Sequence, residues 1–353
     1  MNEFLFHGKP TPKLKAFLEK LKEALIKHGF VFNPNSKTPK LVLNAITPEN
    51  PTPYRRHAQA TFVVTTMELS SFPENPIHSL YHYLVRALSN MLLVYVPNKG
   101  AKFITLELGH YDEPEADGFF QRVLNRIIPL ASSRLIIKNI FETDLEPELW
   151  NGDQLTQSMY QVGKKLKEWD LLPALFPIED ILPPKDLEHV KKLYGIGGLS
   201  YGNLSVRKDE KRFWMSASGV DKANLKEIGR DILMVKNYDS NREAIILSVP
   251  PNVEPRRVSV DAIEHWMIYR EHSSIGAILH VHAWMDGIPA TTFNYPCGTY
   301  ELAQAVTEKI REATDPCKSI VGLKNHGLTI TGQSLTEIME RIEGKLIRTV
   351  PMT

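Results

Sequence analysis

Cysteine is scarce in this 353-residue chain. Only Cys297 and Cys317 occur, at a spacing that matches neither a zinc knuckle nor a redox pair, so a disulfide framework is excluded and two free thiols are expected. Charge of one sign is not in excess either. Lys and Arg number 42 against 41 Asp and Glu, a formal charge of +1, with no basic tail or acidic tract to draw the chain to nucleic acid. Long apolar runs are missing as well. None approaches the roughly 20 residues of a membrane-spanning helix, and the opening MNEFLFHGKPTPKLK has too short an apolar stretch for a secretory signal. The expectation is a cytoplasmic protein with neither nucleic acid nor a membrane as partner. Internal repeats are also absent, which sets aside solenoid architectures.

What is present is an ordinary globular composition in a chain too long for one typical domain. Leu14, Phe17, Leu18, Leu21 and Leu25 recur at helical spacing between Pro12 and Gly29, which predicts an amphipathic helix with a glycine stop. The proline- and asparagine-rich stretch from Asn33 to Pro53 reads as loop around a short strand, Leu41 to Ile46. Strand-like runs follow at 61–66, 102–108 and 134–141, separated by helical patterns at 77–93 and 118–128, so this half is mixed α and β. A second irregular stretch, 171–184, holds four prolines and follows a helical pattern at 155–169. The expected division is therefore an N-terminal mixed α/β domain over 1–170 and a second domain over 185–353. In the latter the patterns predict a helix near 186–194, a glycine-rich turn, short strands, a helix from Asp261, a strand to His282, a helix near 300–313, a strand before Asn325 and a last helix over 335–347.

The second half carries the chemistry. Apolar residues and histidines alternate through Ile275–Trp284, so on a strand Ile278, His280 and His282 share one face. The two imidazoles start about 7 Å apart along the backbone and can converge on one ion with bonds near ~2.0–2.1 Å. An isolated His-x-His is weak, since two polar residues on an exposed strand face read the same way. Asp261 and His265 stand one helical turn apart just before that strand; the aspartate suits a ligand, a base, or simply an acidic helix start opposing the dipole. His326 sits in Asn325–His326–Gly327 at a turn between two strand-like segments. Together these offer three imidazoles and a carboxylate, a donor set suited to zinc or another divalent transition metal. His78 and His82 are also four apart, but no acidic cluster accompanies them and they are not counted as a site.

Several motifs occur in an order that resembles the class II aldolase and adducin family, which includes fuculose- and rhamnulose-phosphate aldolases and ribulose-5-phosphate 4-epimerase. They are GNLSVR (202–207), SASGV (216–220), SVDAIEHWMIYR (259–270), HVHA (280–283), CGTYELA (297–303) and KNHGLTITG (324–332). The resemblance spans roughly 185–353 and leaves the first half, of unknown type, untouched. It implies an α/β fold of three layers around a central, largely antiparallel sheet, with zinc held by His280, His282 and His326. It places Asp261 where the aldolases carry a catalytic glutamate and the epimerase an aspartate, and it aligns Asn203, Ser218, Gly219 and Ser259 with phosphate-binding positions. It further implies a metal-dependent aldolase or epimerase that acts on a small phosphorylated sugar through a metal-stabilised enediolate, in a homo-oligomer.

The chain departs from that pattern at Val260, where many relatives carry a serine, in the short segment between His282 and Ile288, and in ending soon after the last helical pattern. Tyr295 and Tyr300 lie near enough in sequence to stand in for a missing acid/base group, with packing as the alternative. The other reading is a non-catalytic, adducin-like module for assembly or ligand sensing. His265 fits equally a support for the metal pocket or a buried polar contact.

Overall fold

The computed structural model of the chain describes residues 2–58, 60–106, 109–172, 178–188 and 201–353. The expected glycine-rich turn after Tyr194 and most of the expected 186–194 helix lie outside the described residues, as does the end of the 102–108 strand. The described chain forms two compact units. One holds the residues up to Ser133 with 178–188 and the last two residues, the other 134–172 and 201–351. Among the described residues no helix is long and apolar enough to cross a membrane.

The first unit is a seven-stranded sheet in the order β2-β1-β3-β4-β5-β6-β7, made of β1 (Glu3–Gly8), β2 (Val31–Phe32), β3 (Leu41–Ile46), β4 (Phe62–Glu68), β5 (Met91–Val96), β6 (Gly100–Thr105) and β7 (His110–Pro114). Strands β2, β1, β3, β4 and β5 run parallel, and β6 and β7 antiparallel. The parallel centre explains the sequence of β3 and β5: every residue of each is buried, so β5 reads as a continuous apolar run and β3 as one broken only by Asn44, rather than as alternations. Helix α1 (Pro12–Lys27) buries the five predicted residues Leu14, Phe17, Leu18, Leu21 and Leu25, and Thr11 caps it. The helix expected over 77–93 is in fact α2 (Pro76–Arg86) followed by β5. Leu88 adopts a left-handed φ of 56° that ends the helix, and MLLVYV then fits a buried strand. α3 (Phe119–Ser132) completes this core with α1.

The second unit is built on an eight-stranded sheet in the order β14-β15-β13-β9-β10-β11-β12-β8. Its strands are β8 (Lys138–Glu142), β9 (Asn203–Arg207), β10 (Phe213–Ser216), β11 (Ile232–Asp239), β12 (Ala244–Ser248), β13 (Ala277–Val281), β14 (Ile320–Leu323) and β15 (Gly327–Gly332). Every pairing is antiparallel except β8 with β12. α4 (Gln154–Glu168) lies against β9, α5 (Ala262–Glu271) packs on α6 (Tyr300–Arg311), and α7 (Leu335–Ile342) covers β13 and β15. The strand near 134–141 and the helix near 155–169, which the sequence groups with the first half, are in the structure β8 and α4 of this second unit. Met159, Val162 and Leu166 of α4 join the same core as Leu204, Trp214 and Leu279.

The candidate metal centre

Strand β13 is the backbone of the site. Paired with β9 on one side and β15 on the other, it aligns His280 with Asn203 and with Thr329. Because side chains alternate across a sheet, Asn203 and Ser205 of β9 share a face with Ile278 and His280, and α5 supplies the groups that meet them. The approach of β9 to β13 is close. Gly202 has a φ of +71°, and a Cβ there would sit 2.3 Å from the His280 carbonyl oxygen, so only glycine leads into β9.

His282 lies one residue beyond the end of β13 but stays on the His280 side, with ring centroids 5.1 Å apart. The third imidazole comes from the three-residue turn joining β14 to β15, whose pairing closes at Leu323 and Gly327. Asn325 takes the left-handed conformation in this turn (φ 59°), a role asparagine tolerates. Gly327 is needed instead for contact, since a Cβ would stand 2.3 Å from the Val281 carbonyl oxygen. His326 Nε2 lies 3.1 Å from His282 Nε2, and the ligand atoms of the three histidines all fall within 4.8 Å of one another.

The triad's chemistry suits a cation. His280 Nδ1–H donates to the Leu328 carbonyl at 2.9 Å, which fixes the tautomer and leaves Nε2 as the lone-pair nitrogen. That Nε2 is buried and has no hydrogen-bond partner among the described residues, a cost that a coordinated ion removes. Burial, reinforced by the neighbouring imidazoles, holds His326 down at about 3 and His282 well below the ordinary histidine range; burial also lowers His280, against the pull of Asp261. All three are therefore neutral near pH 7, the form that binds metal. Among the described residues this is the group of histidines, cysteines and carboxylates placed to hold a divalent ion, and His78 and His82 form no such group.

Asp261 stands at the N-cap position of α5 without a side-chain capping bond and is buried. Its carboxylate accepts from Asn203 Nδ2 at 2.7 Å and from the Gly298 backbone N–H at 3.3 Å, so two residues predicted separately meet in one contact. Asn203 Oδ1 is buried with no hydrogen-bond partner among the described residues. His265, fully buried, bonds through Nδ1 to Ser205 Oγ at 2.7 Å, and Ser205 meets the Tyr269 hydroxyl at 2.9 Å. Burial and the nearby His280 pull His265 down to about 3, so it is a neutral imidazole behind the triad.

The expected phosphate positions divide. Ser259 is buried and its N–H donates to the Ser216 carbonyl, while Ser218 and Gly219 line an open concavity of about 640 Å³ that Arg256 also borders. Arg256 was not singled out in the sequence, where it is one of many surface arginines. Three further groups escaped it. Lys222 is buried and its ammonium is lowered to about 8 by burial, against Asp221 and Asp261. Glu264 is buried and pushed up to about 8 by burial and by Asp261, while accepting from Thr329 Oγ1 at 2.6 Å. Cys297, partly buried, places Sγ 3.4 Å from His326 Nε2. Helical periodicity could have placed Glu264 beside Asp261, three residues away on one face. Nothing local points Lys222 or Cys297 inward. Tyr295 and Tyr300 are both part-exposed and pack against the apolar core, as the packing alternative expects.

An antiparallel sheet whose strand β13 and adjoining hairpin converge three neutral imidazoles beside a held carboxylate gives an α/β domain with a triad that could hold a divalent ion. Residues 189–344 match the Class II Aldolase and Adducin N-terminal domain, and the chain carries a class II aldolase/adducin domain over that stretch, alongside a separate N-terminal α/β domain. The chain is 24% identical to methylthioribulose-1-phosphate dehydratase of Klebsiella pneumoniae (strain 342) over 40% of its own length and 79% of that protein's. It is 27% identical to the enzyme of the same name from Citrobacter koseri, over 40% and 78%. Among solved structures, an L-fuculose 1-phosphate aldolase aligns with 54% of this chain and 82% of its own at 21% identity, with a TM-score of 0.37.

Proposed function

We propose that the C-terminal unit is a zinc-dependent lyase acting on a small phosphorylated sugar, breaking a carbon–carbon or carbon–oxygen bond at the carbon β to a carbonyl. The observation that carries this reading is the converged triad with the unpartnered His280 Nε2. Three neutral imidazoles are a donor set that zinc favours. A bound divalent ion supplies Lewis-acid stabilisation of negative charge developing on a substrate oxygen. The rest falls to the chain's own residues. Asp261 is the proton carrier: Asn203 and the Gly298 N–H each hold one of its oxygens, which fixes the carboxylate's orientation and leaves lone pairs to take a proton from substrate and return it. His265 and the Ser205 hydroxyl behind it buttress the His280 face.

Ser218, Gly219 and Arg256 form the phosphate end of this reading. A small hydroxyl, a residue without a side chain and the cations Arg256 and Lys226 suit a dianion, against the carboxylates Asp221, Glu227 and Asp231 that line the same concavity, and Val260 contributes no donor. Aldol cleavage, C4 epimerisation and dehydration all begin from charge development beside the carbonyl. Dehydration is favoured among them because the relatives matched over most of their length are sugar-phosphate dehydratases by name. The test is a turnover panel of ketose and aldose phosphates with the zinc-loaded protein. Asp261→Asn is expected to lower kcat by about 10²–10⁴-fold while the metal content is unchanged. Metal bound without turnover of any sugar phosphate would favour the adducin-like sensing or assembly role.

A further inference from the structure

Cys297 enters none of the roles above, yet its thiol reaches the triad. Sγ lies 3.4 Å from His326 Nε2 and 3.8 Å from Nδ1, so it stands nearer the nitrogen that also meets His282 at 3.1 Å. Donors bound tetrahedrally to one ion, nitrogens at about 2.0–2.1 Å and sulfur at about 2.3 Å, are separated from each other by about 3.3–3.6 Å. The Sγ–His326 spacing falls in that range and the His326–His282 spacing just below it, whereas Sγ is not among the donor atoms that already lie within 4.8 Å of one another, so a thiolate that completes the set swings from His326 toward the other two imidazoles.

The backbone that carries the thiol is also held in place. Gly298 donates its N–H to Asp261 and its carbonyl accepts from Ile136 N at 2.8 Å, while Thr299 Oγ1 donates to the Pro296 carbonyl at 2.7 Å. Gly298 itself cannot carry a side chain without strain. Its φ is +73°, and a Cβ would stand 2.9 Å from Ile137 and 3.1 Å from Val260. The backbone on both sides of Cys297 is thus fixed, and the unpartnered, buried His280 Nε2 marks where an ion would sit among the donors.

We infer that Cys297 is a fourth protein ligand, so that the resting site is a His3Cys set formed by His280, His282, His326 and the Cys297 thiolate. This rests on the reading that the triad holds a metal. On binding, the S–H bond breaks, its proton passes to solvent and a sulfur–metal bond forms. Four protein donors close a tetrahedral site, whereas a site that reacts keeps one position open. A substrate oxygen and the thiolate therefore compete for the same position, and release of Cys297 gates access to the ion.

The experiment is cobalt(II) titration of the metal-stripped full-length protein. The wild type is expected to show a near-ultraviolet sulfur-to-cobalt charge-transfer band that is lost in Cys297→Ser and retained in Cys317→Ser, with cobalt affinity falling at least about 10-fold in Cys297→Ser. Alkylation of wild-type Cys297, mapped by mass spectrometry with and without cobalt, gives the same answer without a variant: the ion is expected to protect the thiol. Cobalt bound with no such band, a band unchanged in Cys297→Ser, or alkylation indifferent to cobalt overturns the thiolate ligand and leaves the triad standing. Failure of the wild type to take up cobalt at all overturns both.

Discussion

At the residue scale the site is a set of buried polar groups whose desolvation costs are not all offset by contacts among the described residues. His280 Nε2 and Asn203 Oδ1 lack hydrogen-bond partners among the described residues, and three imidazoles are held neutral within contact of each other. Glu264 adds a buried carboxyl whose pKa is pushed up to about 8 by burial and by Asp261. A carboxyl with a raised folded pKa binds its proton more tightly when folded, so the stability it contributes is complete below about pH 4.5 and is lost as pH rises toward about 8. Replacing it by the neutral isostere removes that loss. In urea unfolding of the metal-free protein, Glu264→Gln is expected to gain on the wild type steadily between about pH 4.5 and 8, by a few kcal/mol at the upper end. Parallel stability curves for the two proteins would show that Glu264 ionises at an ordinary pH.

The histidines were legible in the sequence because alternation and the turn-forming NHG each declare a position, and their joint order with the other motifs declares a family. Lys222 and Cys297 were not, because their placement is decided by the turn after β10 and by the loop before α6, neither of which carries a local signature for an inward polar group; Glu264 shares a helix face with Asp261, but that spacing alone does not tell a buried carboxyl from a solvated one.

At the element scale, close backbone contacts set the site's geometry. Gly163 of α4 sits where a Cβ would be 1.8 Å from the Lys222 carbonyl oxygen. Alanine is better than glycine in a helix by about 1 kcal/mol, but the atom met here is backbone and cannot swing away. Overpacking of this kind costs about 1–3 kcal/mol and, for so short a distance, the upper end, so Gly163→Ala is expected to lower the thermal midpoint by several degrees. An unchanged or raised midpoint would mean that α4 does not approach the Lys222 turn this closely. The element reading from sequence failed where a continuous apolar run followed a helix. Residues 91–93 fit the helical pattern of α2, and only the left-handed Leu88 and the pairing of β5 with β4 decide for a strand.

At the scale of the whole molecule, the proline-rich stretch at 171–184 marked a break in pattern but not the edge of the second unit. β8 adds to β12 as a parallel edge strand and α4 inserts Met159, Val162 and Leu166 into the C-terminal core, so this unit needs residues well upstream of 171. Pairing of a distant strand is invisible to a reading along the chain. We propose that a fragment of residues 134–353 unfolds cooperatively and binds metal, whereas one starting at 185 exposes the apolar surface that α4 covers and is insoluble or non-cooperative. Equal behaviour of the two fragments in chemical denaturation would contradict this division.

The most direct test of the account is metal analysis of the purified full-length protein after zinc supplementation, beside His280→Ala. The wild type is expected to carry zinc in proportion to protein and to lose about 4 kcal/mol of ligand-linked stability on chelation if zinc stands about 1,000-fold above its dissociation constant. His280→Ala is expected to carry none and to be indifferent to the chelator. A wild type that neither retains nor takes up zinc, or a variant that binds it as well, would contradict the metal centre from which the proposed function follows.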